Sequence, residues 1–287
     1  MMDDREVEEA EGHTFSMSFY VPRESLEKIF GKEGVKRKRL ETTTRTQITV
    51  SLSDPQEPIV VTSGREEYAE EARKQIEELV ASSRRNAAVT HFVSIPCCSE
   101  DVKQAFDQFK RAVLAGPPVD GLTEKMFQNP LKLHLTLTVM VLMNEDEVTK
   151  ARELLHGEQD AIQAILVDFG GKAEITIQGV DIMNSNPERT RVVYAKIQSE
   201  ALQKIANHVE AVFGEKKLGK TKSPSPNVKL HMTLINSRYR KTFNASRILD
   251  EFKDFPFGSI QLTEIHLSDR ASFDDKGYYT AITTLSF

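Results

Sequence analysis

Polar and apolar residues alternate over residues 14–21, as in a half-buried strand, and Pro22 is placed to open a helix over 23–30. Gly31-Lys32-Glu33-Gly34 interrupts that helix. Helical spacing resumes over 35–42 and passes through a run of threonines into a strand over 46–52. A turn-rich stretch over 53–58 separates it from a strand over 59–62, and Ser63-Gly64 leads to a long charged helix over 66–83. Strand, helix, helix, strand, strand, helix is a complete small α+β domain over 14–86, preceded by a tail over 1–13. Beyond the polar joint Arg84-Arg85-Asn86-Ala87-Ala88 the pattern predicts a second domain over 87–287. Its elements are a strand over 90–96, an amphipathic helix over 99–114 capped by Ser99, a buried strand over 131–142 and a helix over 144–166. Strands over 173–183 and 191–197, a helix over 199–213, and strands over 228–235, 259–268 and 278–285 follow.

Composition narrows the class. With 287 residues, 39% hydrophobic and 28% charged, the chain has ordinary globular usage, which excludes collagen and bulk disorder. No run approaches the ~18 consecutive apolar residues of a spanning helix, and the first residues are acidic where a signal peptide is basic and then apolar. An intracellular protein with no membrane partner is expected. The two cysteines, Cys97 and Cys98, are adjacent, which suits neither a structural disulfide nor a spaced zinc site. No metal and no cofactor are expected. The net charge of -5 equals that of the acidic tail over 1–13, whereas residues 28–45 carry seven basic residues against Glu33 and Glu41. Such a patch suits a nucleic-acid phosphate backbone or a solvated helix face.

The order of elements, the G-x-x-G between two helices, Ile48 and Val50 in the next strand, and the closing strand-Gly-helix resemble a type I KH domain. Glycines at both ends of a tight turn let backbone N–H groups approach a phosphate, beside a groove for about four single-stranded nucleotides. The resemblance implies RNA contacts from Gly31, Lys32, Glu33, Gly34, Lys36 and Arg37, with single-stranded RNA, or single-stranded DNA, as the partner. Glu33 departs from that logic, since a carboxylate there faces the phosphate the turn should attract.

Lys132-Leu133-His134-Leu135-Thr136-Leu137 and Lys229-Leu230-His231-Met232-Thr233-Leu234 are one hexapeptide written twice, apart from Leu135 against Met232. In a strand, His and Thr at i and i+2 project together while Leu and Met enter the core behind them. Two such strands in matched contexts put polar groups where packing alone would select apolar ones. They resemble the two-histidine (2H) phosphoesterase superfamily, whose signature is a pair of H-x-[ST] strands, over about 90–287. The resemblance implies a bilobal, internally duplicated α+β domain with antiparallel-rich sheets and flanking helices. It also implies metal-independent phosphodiester chemistry on RNA ends or on 2′,3′-cyclic or 2′-5′ linkages. One of His134 and His231 would serve as base and the other as acid, with Thr136 and Thr233 donating to the non-bridging oxygens. A non-catalytic RNA- or nucleotide-binding adapter is the competing reading.

A KH domain fused to a 2H domain, with the wording RRNAAVTHFVSIP and MFQNPLKLHLTLTVMVL, resembles the activating signal cointegrator 1 complex subunit 1 family. That resemblance implies a nuclear protein, with the cytoplasm as a second location, in a helicase-containing coactivator complex with roles in transcription and alkylation-damage repair. Gly214 to Thr221 fit G-x-x-x-x-G-K-[ST], but they follow a helix and run into Ser-Pro-Ser-Pro, the wrong context for an ATP loop. A mobile basic loop is expected there instead. Lys36-Arg37-Lys38-Arg39 lies inside a helix, which favours RNA contact over nuclear import. Arg270, Phe273 and Tyr278 are candidates for stacking or charge contact with substrate, of which Arg270 and Phe273 are retained.

Overall fold

The computed structural model describes residues 14–22, 26, 29–51, 57–220, 227–238 and 241–287. The acidic tail over 1–13 lies outside the described residues. The chain divides into two compact units, one formed by residues 1–88 with Val141–Val148, the other by Val89–Met140 with Thr149–Phe287.

In the first unit β1 (Phe15–Phe19), α1 (Val35–Thr44), β2 (Thr46–Thr49), β3 (Ile59–Ser63) and α2 (Glu66–Asn86) follow in chain order. Leu26, Ile29 and Phe30 are helical; the remainder of the helix expected over 23–30, and the turn residues 52–56, lie outside the described residues. The antiparallel sheet has the order β1-β3-β2, with Val61 opposite both Met17 and Ile48. Ala69, Ala72, Ile76 and Val80 line one face of α2 at helical spacing and close the core over Ile48 and Val61. Helix α2 continues into the joint expected at 84–88 and ends at Asn86, with Ala87 extended. Arg84 forks onto Glu147 at 2.6 and 3.0 Å and donates to the Val141 carbonyl at 2.6 Å, a half-buried pair that holds the last turn helical.

The second unit is built on one eight-stranded antiparallel sheet. Its elements are β4 (His91–Pro96), α3 (Glu100–Ala115), β5 (His134–Met140), α4 (Glu145–Gly157), whose residues up to Val148 count with the first unit, α5 (Gln159–Asp168), β6 (Glu174–Ile182) and β7 (Val192–Gln198). They are followed by α6 (Glu200–Glu215), β8 (His231–Asn236), α7 (Ser246–Glu251), β9 (Pro256–Gln261), β10 (Glu264–Phe273) and β11 (Tyr279–Ser286). The order is β11-β10-β4-β5-β8-β7-β6-β9. The two halves repeat one plan: β4-α3-β5 and β7-α6-β8 are antiparallel strand pairs bridged by a helix. Each helix is capped by a serine, Ser99 accepting from Val102 N and Ser199 from Leu202 N, both at 3.4 Å. Each bridging helix packs on a strand of the other half, α3 on β9 and α6 on β5.

Leu262 and Thr263 are all that separate β9 from β10, although β9 is one edge of the sheet and β10 lies next to the other. Two residues span about 7 Å, so the sheet must curl until its ends approach. Phe109 of α3 sits in the curl with its ring 5.0–6.3 Å from those of Phe127, Phe252, Phe255 and Phe257. Truncating so central a ring would cost about 3–5 kcal/mol.

Several boundaries differ from the sequence reading. The strand expected over 259–268 is two strands, because the curl and not the local pattern decides where the chain changes partners. The stretch 131–142 opens with a 3-10 turn, Pro130–Lys132, since Asn129 Oδ1 accepts from Leu131 N at 2.9 Å. The helix expected over 144–166 breaks at Glu158, which leaves helical geometry between α4 and α5. Among the described residues no helix is long and apolar enough to cross a membrane.

Candidate active site

Strands β5 and β8 meet at the centre of the sheet, antiparallel, with Leu135 opposite Met232. Continued by one residue each way, that register sets His134 opposite Thr233 and Thr136 opposite His231. The four polar side chains form a diamond on one face, with the imidazoles on a diagonal of about 7–8 Å. Leu133, Leu135, Leu137, Met232 and Leu234 are buried, whereas the four diamond residues are half-buried. Among the described residues the hydroxyls of Thr136 and Thr233 have no protein partner.

The two imidazoles are held alike. His134 Nδ1 lies 2.8 Å from the Lys132 carbonyl, and His231 Nδ1 lies 2.8 Å from the Lys229 carbonyl. A carbonyl only accepts, so Nδ1 carries the proton in both rings and Nε2 is left for chemistry, as acceptor when neutral and donor when charged. Burial disfavours the charged forms. It pulls His134 down to about 4, with the carbonyl of Lys132 opposing and His231 adding to the fall. His231 is lowered as well, by burial first and then by the Lys229 charge, against the pull of the Lys229 carbonyl.

The walls come from neighbouring strands. Phe92 of β4 packs 5.1 Å from the His134 ring, and Tyr279 of β11 meets it edge-on at 5.5 Å. Tyr194 of β7 meets His231 edge-on at 5.5 Å while its hydroxyl donates to Asp181 Oδ2 at 2.8 Å. Both duplicated lysines lie on rings: Lys132 Nζ is 3.3 Å from the Phe273 centroid and Lys229 Nζ 4.9 Å from that of Tyr194. Lys196 lies directly opposite His231 in β7. Among the described residues Lys132, Lys196, Lys229, Arg238 and Arg270 make no ion pair.

The structure thus brings His134, Thr136, His231 and Thr233 into one cleft. Phe273, 48% exposed, joins that cleft's border through Lys132 and through Tyr279 at 5.5 Å. Arg270 lies nearby, with Nη1 donating to the Val89 carbonyl at 3.2 Å. Tyr278 is buried and turned toward Ser94 Oγ at 3.4 Å, so the tyrosine on the site is its neighbour. Sequence reasoning missed Phe92, Tyr194 and Tyr279. Their one legible signal was the strand alternation that separates Tyr278 from Tyr279.

In the first unit Gly31, Glu33 and Gly34 all take positive φ (76°, 57° and 73°), and Gly34 N donates to the Gly31 carbonyl at 3.1 Å. Lys32 lies in this turn. Glycine tolerates that conformation and glutamate is strained in it. Helix α1 then starts with no side-chain cap, leaving its first N–H groups for an anion. Lys36 and Arg37 stand in that first turn, Arg37 Nε lying 4.0 Å from Glu41.

Neither of the remaining motifs forms a site. Phe213 O accepts from Leu218 N and Gly219 N at 3.0 Å, and Lys220 N donates to Val139 O at 2.8 Å. The segment over 214–220 is a helix terminus tied to β5 rather than a phosphate loop, and the rest of the basic loop expected there, residues 221–226, lies outside the described residues. Cys97 is buried and its thiol pushed up by burial; burial likewise raises Cys98. Among the described residues no cluster of three or more His, Cys, Asp or Glu side chains could hold a metal ion.

Residues 89–287 match the family model described as AKAP7 2'5' RNA ligase-like domain, and residues 16–78 match that of the KH domain. Activating signal cointegrator 1 complex subunit 1 of Mus musculus is 30% identical over 96% of this chain and 84% of its own length. An uncharacterised protein of Schizosaccharomyces pombe is 24% identical over 68% of this chain and 94% of its own. Among solved structures, E. coli LigT complexed with 3'-AMP is similar with a TM-score of 0.46 at 15% identity, covering 69% of this chain and 98% of that one. The N-terminal domain is therefore a KH domain, an RNA-binding module, the C-terminal one a 2'5' RNA ligase-like domain of the 2H phosphoesterase fold, and the chain belongs to the activating signal cointegrator 1 complex subunit 1 family.

Proposed function

We propose that this protein binds single-stranded RNA through its KH domain and breaks phosphodiesters, at RNA ends or in 2′,3′-cyclic or 2′-5′ linkages, at the paired H-x-T strands without a metal. The observation that carries this reading is the pair of imidazoles on one diamond, each with Nδ1–H given to a carbonyl and Nε2 left over the space a phosphate would fill. His134, held further down, is the base: neutral at pH 7, its Nε2 takes the proton of the attacking water or hydroxyl as the new P–O bond forms. His231, as imidazolium, gives its Nε2 proton to the departing oxygen as the old P–O bond breaks. Thr136 and Thr233 donate to the non-bridging oxygens, whose charge grows in the transition state. The rings return to their starting charges by exchanging one proton with solvent.

One observation favours an alternative. Burial lowers His231 too, so the ligand-free site is short of the acid it needs until an anion binds and raises it. A cleft of that kind also suits an adapter that holds a nucleotide or RNA without turnover. The test is an incubation with EDTA against short RNAs ending in 3′-hydroxyl, 2′,3′-cyclic phosphate or 2′-5′ linkages, alongside His134→Ala and His231→Ala. Cleavage lost in both variants while RNA binding persists supports the enzyme. Binding without turnover by any form moves the assignment to the adapter, and activity abolished by EDTA removes the metal-independent mechanism.

The name of the mouse relative speaks of a subunit of an activating signal cointegrator 1 complex. We infer the same kind of assembly for this chain, a nuclear, helicase-containing complex serving transcription and alkylation-damage repair. Co-purification of a helicase with the tagged protein from nuclear extract tests it, and a monomeric cytoplasmic pool alone would count against it.

A further inference from the structure

Resting on the phosphodiester reading of the cleft, we propose that Gln203 and Asn207 of α6 are positioning residues for His231 alone: they clamp the chain just ahead of β8 and so fix the carbonyl that aims its imidazole.

His231 presents Nε2 to the phosphate only while its Nδ1–H is held by the Lys229 carbonyl at 2.8 Å, and that carbonyl needs support of its own. The β7–β8 register ends at Lys196 opposite His231, and among the described residues neither Lys229 nor Leu230 makes a backbone–backbone hydrogen bond. The support comes one residue earlier. Val228 N donates to Asn207 Oδ1 at 2.8 Å, and Val228 O accepts from Gln203 Nε2 at 2.9 Å. Gln203 Nε2 also donates to Asn207 Oδ1 at 3.0 Å, and Asn207 Nδ2 to Asn227 Oδ1 at 2.8 Å. A backbone N–H only donates and a carbonyl only accepts, so each amide has one orientation and the network one sense. With its N–H and C=O both bound, Val228 has two successive peptide planes pinned, and the Lys229 carbonyl lies a single pair of dihedrals beyond them.

The other half of the duplication lacks this clamp. Counted from the serine caps Ser99 and Ser199, Lys103 and Asp107 of α3 stand where Gln203 and Asn207 stand in α6. Lys103 Nζ is turned to Glu100 at 2.9 Å instead. The chain ahead of His134 is secured locally: Lys132 N donates to Asn129 O at 2.9 Å in the Pro130–Lys132 turn, and Cys97 N, just past β4, donates to Leu133 O at 2.9 Å. One imidazole is thus aimed by its own turn and the other by a pair of helix side chains. Both amides are half-buried, where apolar residues would serve packing alone, and they spend their polar groups on the backbone ahead of β8. A misaimed acid costs rate rather than affinity, since Nε2 must meet the departing oxygen only as the bond breaks.

The experiment uses two isosteric substitutions in the full chain that add the same charge to one face of α6. In Gln203→Glu the donor becomes an acceptor facing Asn207 Oδ1 and Val228 O, so the clamp opens; in Asn207→Asp the acceptor for Val228 N and Gln203 Nε2 survives, so it holds. Long-range 1H–15N spectra of the imidazoles at about pH 8, where both site histidines are neutral, report which nitrogen carries the proton, with His134→Gln and His231→Gln assigning the signals. We expect His231 to keep its proton on Nδ1 in the parent and in Asn207→Asp and to become a mixture of tautomers in Gln203→Glu, with His134 unchanged throughout. On the cleaved RNA of the end-group panel, Gln203→Glu should lower kcat by about tenfold to a hundredfold with little change in KM, and Asn207→Asp by less than about threefold. Equal behaviour of the two variants, or a His134 signal that moves with that of His231, would overturn the assignment. If no RNA is turned over, the catalytic reading fails separately and the tautomer decides: a change confined to His231 in Gln203→Glu supports the clamp, and no change overturns it.

Discussion

His134 and His231 stand at matching places in almost the same hexapeptide and hold Nδ1 in the same way, yet their surroundings differ. His134 faces Pro96 across β4 and is walled by Phe92 and Tyr279, whereas His231 faces Lys196 across β7 and has a single ring, Tyr194, against it. The more apolar wall pushes His134 further from its ordinary value. A motif therefore fixes which atoms face the phosphate, and the strands beside it decide which imidazole gives up its proton first.

Removing the histidines breaks the comparison outright. His134→Ala and His231→Ala should each lower kcat by about a thousandfold or more, with the double variant little worse than either, because the two act as a unit. Single-turnover assays on whichever RNA of the end-group panel is cleaved check this, and additive losses would speak against a concerted pair. Next come the hydroxyls: Thr136→Ala and Thr233→Ala should each lower kcat by about a hundredfold with a much smaller change in KM, since their bonds strengthen in the transition state.

The sharper test is in the pH profile. The base must be neutral and the acid charged, so the low-pH limb of kcat/KM follows His134 and the high-pH limb follows His231. With His134 at about 4 and His231 below its usual 6.5, the optimum for kcat/KM should be acidic. Phe92→Ala admits water to His134 and should move the low-pH limb up by about one unit; Tyr194→Ala should move the high-pH limb up instead. If both substitutions move the same limb, the acid and base assignment is wrong.

The smallest effect is on stability. A histidine whose pKa is depressed on folding takes up protons more readily when unfolded, so its contribution is intact above 6.5 and declines as pH falls toward 4. Thermal melts should show His134→Gln losing less stability than the parent across that window, by on the order of 1–2 kcal/mol. The corresponding difference for His231→Gln should be smaller.

The two H-x-T strands were legible because their pattern is local. Alternation, a polar pair at i and i+2, and its recurrence after 97 residues all lie within reach of a pattern. The KH turn was legible for the same reason, Gly31 and Gly34 being where positive φ is needed. What escaped depends on non-local pairing. Ser259 to Ser268 reads as one strand because nothing in Leu262-Thr263 announces a change of neighbours; only the closing of the sheet does. Tyr279 and Tyr194 reach the histidines through registers set far away in sequence, and Tyr278 drew attention that belonged one residue later.

The two-residue link between β9 and β10 bears on the order in which the molecule can be finished. β10 and β11, synthesised after every other strand described here, complete the half that holds His134 and not the half nearest them in sequence. While the chain emerges N-terminus first, β7, α6 and β8 can pair among themselves, but β4 waits with an open edge for β10. A chain ending near Thr263 would keep all four residues of the diamond and still lack Tyr279, Arg270 and the strand beside β4. Loss of the C-terminal segment would therefore fall on the earlier-made histidine, leaving an aggregation-prone nascent edge where the base should stand.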